Sequence, residues 1–200
     1  SLSFGETFWV AQNATGVGDA KASATNYTFF NTSGNWGSGA GKISAGDTVW
    51  FTGQITNALT IQGSGDIGSK IYIQWDTNAY FEKGIWGASG AITASGKSNI
   101  VLDGFYNGVI ESTNNGSVSL GFGNATYNNG VYFTGCQDFE IKNLTIRNMY
   151  QREQSDDSTT CCGSSFNAVN GIEIWGQSSG LSVHNNTIHD GGAGVNIIYP

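Results

Sequence analysis

The sequence predicts an all-β protein built from repeated short strands. Three observations favour this class: only 12% of the 200 residues are charged, glycine occurs 30 times against one proline, and short apolar runs alternate with polar residues. Disordered chains are usually charged and poor in aromatic residues, whereas 12% of this chain is aromatic. Its length corresponds to one domain, or to one piece of a longer protein.

Strands are predicted where apolar and polar residues alternate between glycine- or asparagine-rich turns. Helix signals are nearly absent, and evenly spaced short strands are typical of sandwiches, barrels and solenoids. The predicted strands, in chain order, are Thr7–Ala11, Thr48–Thr52, Ala58–Gln62, Lys70–Trp75, Ala91–Ala94, Asn99–Asp103, Gly108–Glu111, Val131–Thr134, Phe139–Ile146, Gly171–Trp175, Leu181–Ile188 and Gly194–Tyr199.

Internal repeats favour the solenoid among these architectures. The segment Gly130–Asn143 resembles Gly171–Asn185, an earlier copy spans Gly90–Gly104, and a further copy begins at Gly194. Each copy is a strand, a polar turn with glycine, a second strand and then Asn or Gly, and the copies lie roughly 40 residues apart. In a solenoid, the apolar residues of one repeat stack on those of the next.

The repeats resemble the right-handed parallel β-helix of the pectate-lyase-like superfamily. Asn99–Gly104, which reads Asn-Ile-Val-Leu-Asp-Gly, is similar to a coil of that fold, as are Phe139–Asn148 and Leu181–Asp190. Ile43–Gly53 resembles the start of the first coil in secreted members, with Ala45 in place of their usual proline. The resemblance covers Ser44 to Tyr199 and implies the fold. The superfamily includes polysaccharide lyases, hydrolases and epimerases, and also phage fibres and adhesins.

The predicted domain plan is an N-terminal cap over residues 1–43, followed by β-helix coils over residues 44–200, with loops inserted near Glu111–Asn129 and Tyr150–Asn170. Aromatic residues of the first segment are expected to cover the N-terminal end of the helix: Tyr27, Phe29, Phe30 and Trp36. Asn143 and Asn185 are expected at matching corners, where Asn tolerates a left-handed backbone and stacked Asn side chains form ladders.

No C-terminal cap is visible before Pro200. A solenoid needs such a cap, so the sequence predicts either that the chain continues or that another molecule covers this end. Head-to-tail stacking of copies would then produce a fibre.

The charge balance excludes several classes of partner. The net charge is −7 and no basic cluster is present, so nucleic acids and anionic membrane surfaces are not expected partners. No apolar run approaches the ~20 residues that a membrane-spanning helix needs. The chain starts at Ser1 without signal-peptide features, so we expect a processed extracellular or cell-surface protein.

Candidate modification sites are of two kinds. Cys136 is a candidate disulfide partner for Cys161 or Cys162, with the odd thiol free or linking two chains; the alternative is that the cysteines are buried small residues. Asn-X-Ser/Thr sequences make seven glycosylation candidates, unless Asn is common here because turns need it: Asn13, Asn26, Asn31, Asn115, Asn124, Asn143 and Asn185.

The superfamily resemblance implies a calcium site. Lyases of this fold place Ca²⁺-binding carboxylates and a basic catalytic residue on one face, where calcium bridges an anionic sugar to the protein. The local candidates lie in and beside one inserted loop, and the alternative is a solvated loop: Arg147, Arg152, Glu153, Asp156 and Asp157.

Two histidines form a second catalytic candidate. His189 precedes Asp190, and a histidine beside a carboxylate can act as general base. His184 is expected to face outward because Val183 faces inward, and the alternative for both histidines is a surface stack. Asp103 precedes Gly104 at a corner and is predicted to be a turn residue.

Tryptophans are candidates for stacking on sugar rings. Trp86, in the loop Gly84–Gly90, is predicted to be the exposed carbohydrate-binding residue, and the alternative is that it packs under the loop. Trp50 and Trp75 lie inside strands, where a core position is equally compatible with the pattern. Trp36 and Trp175 complete the candidate set.

Two function classes follow from these patterns. The first is a secreted structural or adhesive β-helix protein that contacts glycans and assembles head-to-tail or through disulfides. The alternative is a calcium-dependent polysaccharide lyase or another carbohydrate-active enzyme. The missing C-terminal cap, the weak catalytic constellation and the odd cysteine favour the first class, whereas the frequency of enzymes in the superfamily favours the second.

Overall fold

The computed structural model describes residues 5–114, 128–149, 169–176 and 179–198. None of the described helices is long and apolar enough to cross a membrane. The regular elements are β1 (Thr7–Ala11), β2 (Thr25–Asn26), α1 (Tyr27–Asn31), β3 (Thr48–Phe51), β4 (Gln54–Ile55), β5 (Leu59–Ile61), β6 (Ile71–Trp75), β7 (Tyr80–Lys83), β8 (Ile92–Ser95), β9 (Ser98–Ser112), β10 (Asn128–Thr134), β11 (Gln137–Arg147), β12 (Val169–Trp175), β13 (Ser182–His184), β14 (Thr187–His189) and β15 (Ala193–Ile198), with 3₁₀ turns at Lys21–Ser23 and Ser33–Asn35.

The strands form two parallel sheets. Sheet 1 follows the order β13-β11-β9-β6-β3-β1-β2, with β14 also on β11 and with β7 joining β4 to β9. Sheet 2 follows the order β15-β12-β10-β8-β5. All named strand pairs in the described part of the chain are parallel. The predicted all-β class and the parallel pairing are therefore confirmed.

The predicted strands occur at closely similar positions, with two differences. The segments predicted as Asn99–Asp103 and Gly108–Glu111 join into the single strand β9, and Leu181–Ile188 divides into β13 and β14. The short elements β2, β4 and α1 were not predicted, nor was β7.

Strand register builds the core from repeated rows of apolar side chains. Since side chains alternate between the two faces of a strand, residues paired across neighbouring strands face the same way. Full burial of such a side chain stabilises the fold by about 1.5–3 kcal/mol. The buried rows of sheet 2 are Leu59–Ile92–Val131–Ile172 and Ile61–Ala94–Phe133–Ile174.

Asparagine residues form corners in sheet 1, within β11 at Asn143 and between β13 and β14 at Asn185. Asn143 and Asn185 adopt φ values of 57° and 55°, which confirms the predicted left-handed corners. Their hydrogen bonds differ from the expected ladder, because the Asn143 amide donates to Asp103 Oδ1 at 2.7 Å. The neighbouring Asn186 bridges the two repeats instead: its Oδ1 accepts from Leu144 N (3.0 Å) and its amide donates to Ile141 O (2.9 Å).

The aromatic residues of the N-terminal segment pack against this core. Phe30 is fully buried and contacts Trp36 and Phe51 edge-on, with ring centroids 5.0 and 5.3 Å apart. The Trp36 indole nitrogen donates to the Phe30 carbonyl oxygen at 2.7 Å. The same segment contributes β1 to sheet 1, where it pairs with β3.

Asp47 holds the turn that leads into β3. Its buried carboxylate accepts hydrogen bonds from Glu6 N (2.6 Å) and from Ser44 N (2.7 Å). A buried carboxylate needs such partners, because leaving it without them would cost several kcal/mol. Asp47 thus ties the start of β1 to the start of β3.

The close approach of two corners at Gly104 generates a stability prediction. A Cβ atom on Gly104 would overlap the backbone carbonyl of Asn143, so we expect Gly104→Ala to destabilise the fold by about 1–3 kcal/mol. Gly34→Ala is the matched control, because a Cβ there meets nothing within 4 Å. Thermal unfolding checks this, and equal melting temperatures for the two variants would contradict the corner geometry.

Candidate functional site

Several sequence-predicted residues lie outside the described part of the chain, and the structure tests none of them: Arg152, Glu153, Asp156, Asp157, Cys161, Cys162, Asn115 and Asn124. Arg147, which precedes the predicted loop site, lies within the described part of the chain. Its Nε and Nη2 atoms donate to Glu111 Oε2 at 2.9 and 2.6 Å, and Asn148 donates to the other oxygen of Glu111 at 2.7 Å. The Arg147 guanidinium is thus engaged by its own chain.

The two predicted histidines lie on separate strands with separate carboxylates. His184, on β13, places Nε2 3.1 Å from Glu140 Oε1 and is exposed, as expected. His189, on β14, places Nδ1 2.7 Å from Asp190 Oδ2. The general-base role of His189 stays a prediction, and the histidine–carboxylate contact that it requires is present.

Glu140 is the centre of a small charged network on the outer face of sheet 1. Lys142 Nζ donates to its Oε1 at 2.8 Å. This hydrogen bond, opposed by partial burial and aided by His184, holds the pKa of Glu140 below its usual value. The same bond raises the pKa of Lys142, so the lysine stays protonated.

Trp86 is buried, so its predicted exposure is wrong. Only 5% of the residue is exposed. Its indole nitrogen donates to the Glu111 carbonyl oxygen at 2.8 Å, and its ring lies 6.4 Å from that of Phe81. Burying the large apolar ring while its N–H keeps a hydrogen bond is more favourable than leaving the ring exposed on the loop. The ring therefore offers no open face for a sugar.

The described glycosylation candidates differ in exposure. Asn31 is half-buried, and its side chain is occupied by hydrogen bonds with Ala58 O (2.9 Å) and Thr60 N (2.8 Å). Asn26 accepts from Thr28 N at the start of α1, at 3.0 Å. The exposed candidates are Asn13, Asn143 and Asn185.

Cys136 is a free, fully buried thiol. Burial raises its pKa, and Sγ lies 3.6 Å from the Ala94 carbonyl oxygen. Its environment is that of a small core residue.

A concave site lies on the outer face of sheet 2. We call it the sheet 2 cleft; it has a volume of about 310 Å³. The strand register brings its lining residues together: Tyr132 on β10 pairs with Glu173 on β12, and the next outward residue of β12 is Trp175. The lining residues are Ala88, Ser89, Asn129, Tyr132, Glu173 and Trp175.

A buried carboxylate forms the polar base of this cleft. Glu173 is only 5% exposed, and its Oε2 accepts from the side-chain amides of Asn129 (2.6 Å) and Asn170 (3.2 Å). Asn170 also donates to Asn129 Oδ1 at 3.1 Å, so the three side chains brace one another. Glu173 is also one of the residues that line the cleft, so its carboxylate is the acceptor group there.

Two aromatic side chains complete the cleft. Trp175 is 45% exposed, whereas a large aromatic side chain is usually well covered. Tyr132 is half-buried, and burial followed by the nearby Glu173 charge raises the pKa of its phenol. The phenol therefore stays protonated and can donate a hydrogen bond. The cleft offers one flat apolar face, one acceptor and one donor.

Sequence reasoning missed Tyr132, Glu173, Asn129 and Asn170. The signal was present in the repeat alignment, since Gly130 and Gly171 begin matching copies and alternation puts Glu173 and Trp175 on one face. A charged residue between Ile172 and Ile174 in an apolar strand marks such a position.

The described ranges contain no cluster of three or more His, Cys, Asp or Glu side chains placed to hold a metal ion. The sequence matches no protein-family model, and comparisons with curated proteins and with solved structures return no match.

The Tyr132–Glu173 pair generates a titration prediction. Removing the carboxylate charge with Glu173→Gln should lower the pKa of Tyr132, yet leave it above 10.0, because burial is the larger cause of the shift. Ultraviolet difference titration measures this, with Tyr132→Phe identifying the signal.

The raised pKa of Tyr132 also makes the stability of the fold depend on pH. Because its folded pKa lies above the unfolded value, the contribution of Tyr132 to stability is fully present below pH 10.0 and is lost as the pH rises further. Tyr132→Phe should reduce that alkaline loss. Identical titrations for the parent protein and Glu173→Gln would contradict the pairing.

Proposed function

We propose that the chain folds as a right-handed parallel β-helix of the pectate-lyase-like kind. Its path supports this, because the chain runs from β8 in sheet 2 to β9 in sheet 1, then to β10, β11 and β12 in alternation. Crossovers between parallel strands are almost always right-handed. Rows of apolar residues from both sheets meet in one core.

We infer that the protein binds a polysaccharide in the sheet 2 cleft, in the secreted or cell-surface setting that the sequence predicts. The observation that carries this proposal is the exposed Trp175 beside the buried Glu173. Sugar rings present C–H faces that pack on an indole, and hydroxyls that donate to a carboxylate and accept from a phenol. A largely preformed cleft with an aromatic wall and few fixed polar groups is typical of small-ligand recognition.

A carbohydrate-active enzyme is the second candidate, and the burial of Glu173 favours it. A carboxyl group in a water-poor cleft is a common acid or base in glycan chemistry. The calcium-dependent lyase mechanism expected from the family resemblance would use Arg152, Asp156 and Asp157, which lie outside the described residues.

Head-to-tail or disulfide-linked assembly stays a prediction. On sheet 2, β15 pairs with β12, and Val195 and Ile197 are 43% and 45% exposed in register with the buried Ile172 and Ile174. In end-to-end assembly, these exposed apolar side chains would pack against a second copy of the chain.

Trp175→Ala tests the binding proposal. We expect it to weaken polysaccharide binding roughly tenfold, which corresponds to about 1.4 kcal/mol, because the stacking face is lost. Affinity gel electrophoresis measures retardation in gels containing xylan, mixed-linkage β-glucan, galactomannan or polygalacturonate. The matched control is Tyr80→Ala, since Tyr80 is 40% exposed and lies outside the cleft lining.

The same polymers separate binding from catalysis. Under the binding proposal, the protein is retarded by at least one polymer and releases no new reducing or unsaturated ends. Product release that Glu173→Gln abolishes without loss of retardation would favour the enzyme. Equal retardation of Trp175→Ala and the parent protein would overturn the cleft as the binding site.

A further inference from the structure

Sheet 1 carries a row of contacting aromatic rings on its outer face, away from the sheet 2 cleft. We call it the aromatic ridge; it comprises Trp9, Trp50, Phe105 and Tyr106. Trp9 and Trp50 are stacked with centroids 5.6 Å apart and planes 16° apart. Phe105 meets Trp50 edge-on at 5.1 Å, and Tyr106 meets Phe105 at 4.2 Å. Phe105 and Tyr106 are 44% and 67% exposed.

A bulge in β9 places the two most exposed rings. Asp103 pairs with Lys142 and Gly108 pairs with Leu144, so residues 104–107 of β9 lie opposite Asn143 alone. Asp103 Oδ1 holds the bulge by accepting from Phe105 N at 2.9 Å, which confirms Asp103 as a turn residue. Bulges commonly redirect side chains at functional positions.

The backbone of Phe105 is unfavourable for its residue type. Its φ is 48°, a left-handed value that is a true outlier for a bulky side chain. The other non-glycine residues with positive φ in the described ranges are all Asn or Asp: Asn99, Asp138, Asn143, Asn148, Asn185 and Asp190. Phenylalanine at such a corner costs free energy and also exposes an apolar ring. Strain of this kind is retained where the residue serves a function.

Hydrogen-bonding side chains border the ridge. Continuing from Trp50 across the strands, the same outward row holds Gln74, Asp103, Lys142 and His184. The charged members are already paired: Lys142 lies 2.8 Å from Glu140 and 3.9 Å from Asp103. The row therefore offers donors and acceptors without a large unbalanced charge, which suits a neutral polar ligand better than an ion.

The shape of the ridge favours a chain-like ligand over a folded partner. A specific protein interface buries about 800 Å² per partner. The ridge is a narrow line of partly exposed rings that runs across the strands and is flanked by polar groups. A linear polymer with flat apolar faces and many hydroxyls matches that arrangement.

We propose that the aromatic ridge is a second binding surface for a neutral polysaccharide, with Phe105 and Tyr106 as its contact residues. This inference rests on the proposed function for the class of ligand, but it concerns a different sheet and different side chains. The ridge holds one stretch of polymer, and the sheet 2 cleft holds another.

Phe105→Asn and Tyr106→Ala test the ridge. Asn takes the left-handed conformation readily, so Phe105→Asn should keep the corner and a melting temperature at or above that of the parent protein. Each variant should raise the dissociation constant for xylan, mixed-linkage β-glucan or galactomannan at least fivefold in affinity gels. Tyr80→Ala, which removes a 40% exposed aromatic side chain outside the ridge, should leave retardation unchanged.

Trp175→Ala separates this proposal from the cleft. If Trp175→Ala weakens retardation and both ridge variants bind as the parent does, the ridge is overturned and the cleft stands. If the ridge variants weaken retardation and Trp175→Ala does not, the ridge stands and the cleft is overturned. Retardation by polygalacturonate alone would overturn the neutral-polymer assignment, and retardation by none of the four polymers would overturn both sites.

Discussion

In-register parallel stacking of the strands determines both the core and the outer faces of this protein. Each strand lies one strand spacing, about 4.8 Å, from an equivalent strand of another repeat. A residue that is apolar in one repeat therefore meets the residue at the matching position of the next, as Val131 meets Ile172. A shift of one residue would turn every buried side chain outward, so burial fixes the register strongly.

The same register also determines the outer faces. Tyr132 lies beside Glu173 because Val131 and Phe133 are held in the core on either side of it. The carboxylate of Glu173 is costly to bury, and the amides of Asn129 and Asn170 offset that cost through their hydrogen bonds to it. The polar base of the cleft is consequently rigid before any ligand arrives, which reduces the entropy lost on binding.

Much of the strand pattern was predictable from the sequence, because alternation and glycine or asparagine turns are local signals. The asparagine corners at Asn143 and Asn185 were predictable for the same reason. Trp86 was not, since its exposure depends on a backbone carbonyl at Glu111 that only the folded chain brings near. The bulge at Phe105 was also missed, because nothing local distinguishes it from an ordinary turn.

The candidate site was less accessible to sequence reasoning than the fold. Glu173 resembles any outward polar residue of a strand until Asn129, which is 44 positions away, is seen to hold its carboxylate. Long-range pairing of this kind requires the register of repeats separated by insertions. The histidines and the acidic loop were predicted because their residue types are common in catalysis, whereas the sheet 2 cleft is lined by Tyr, Glu and Trp.

Hydroxyl-radical footprinting with mass spectrometry can locate a polysaccharide in the sheet 2 cleft, because it reports the solvent exposure of individual aromatic side chains. The protein would be oxidised alone and with each polysaccharide that retards it. A polymer held in the sheet 2 cleft should reduce oxidation of Trp175 and Tyr132, while the buried Trp75 stays unreactive with and without polymer. Unchanged oxidation of Trp175 in the presence of a bound polysaccharide would contradict binding in the sheet 2 cleft.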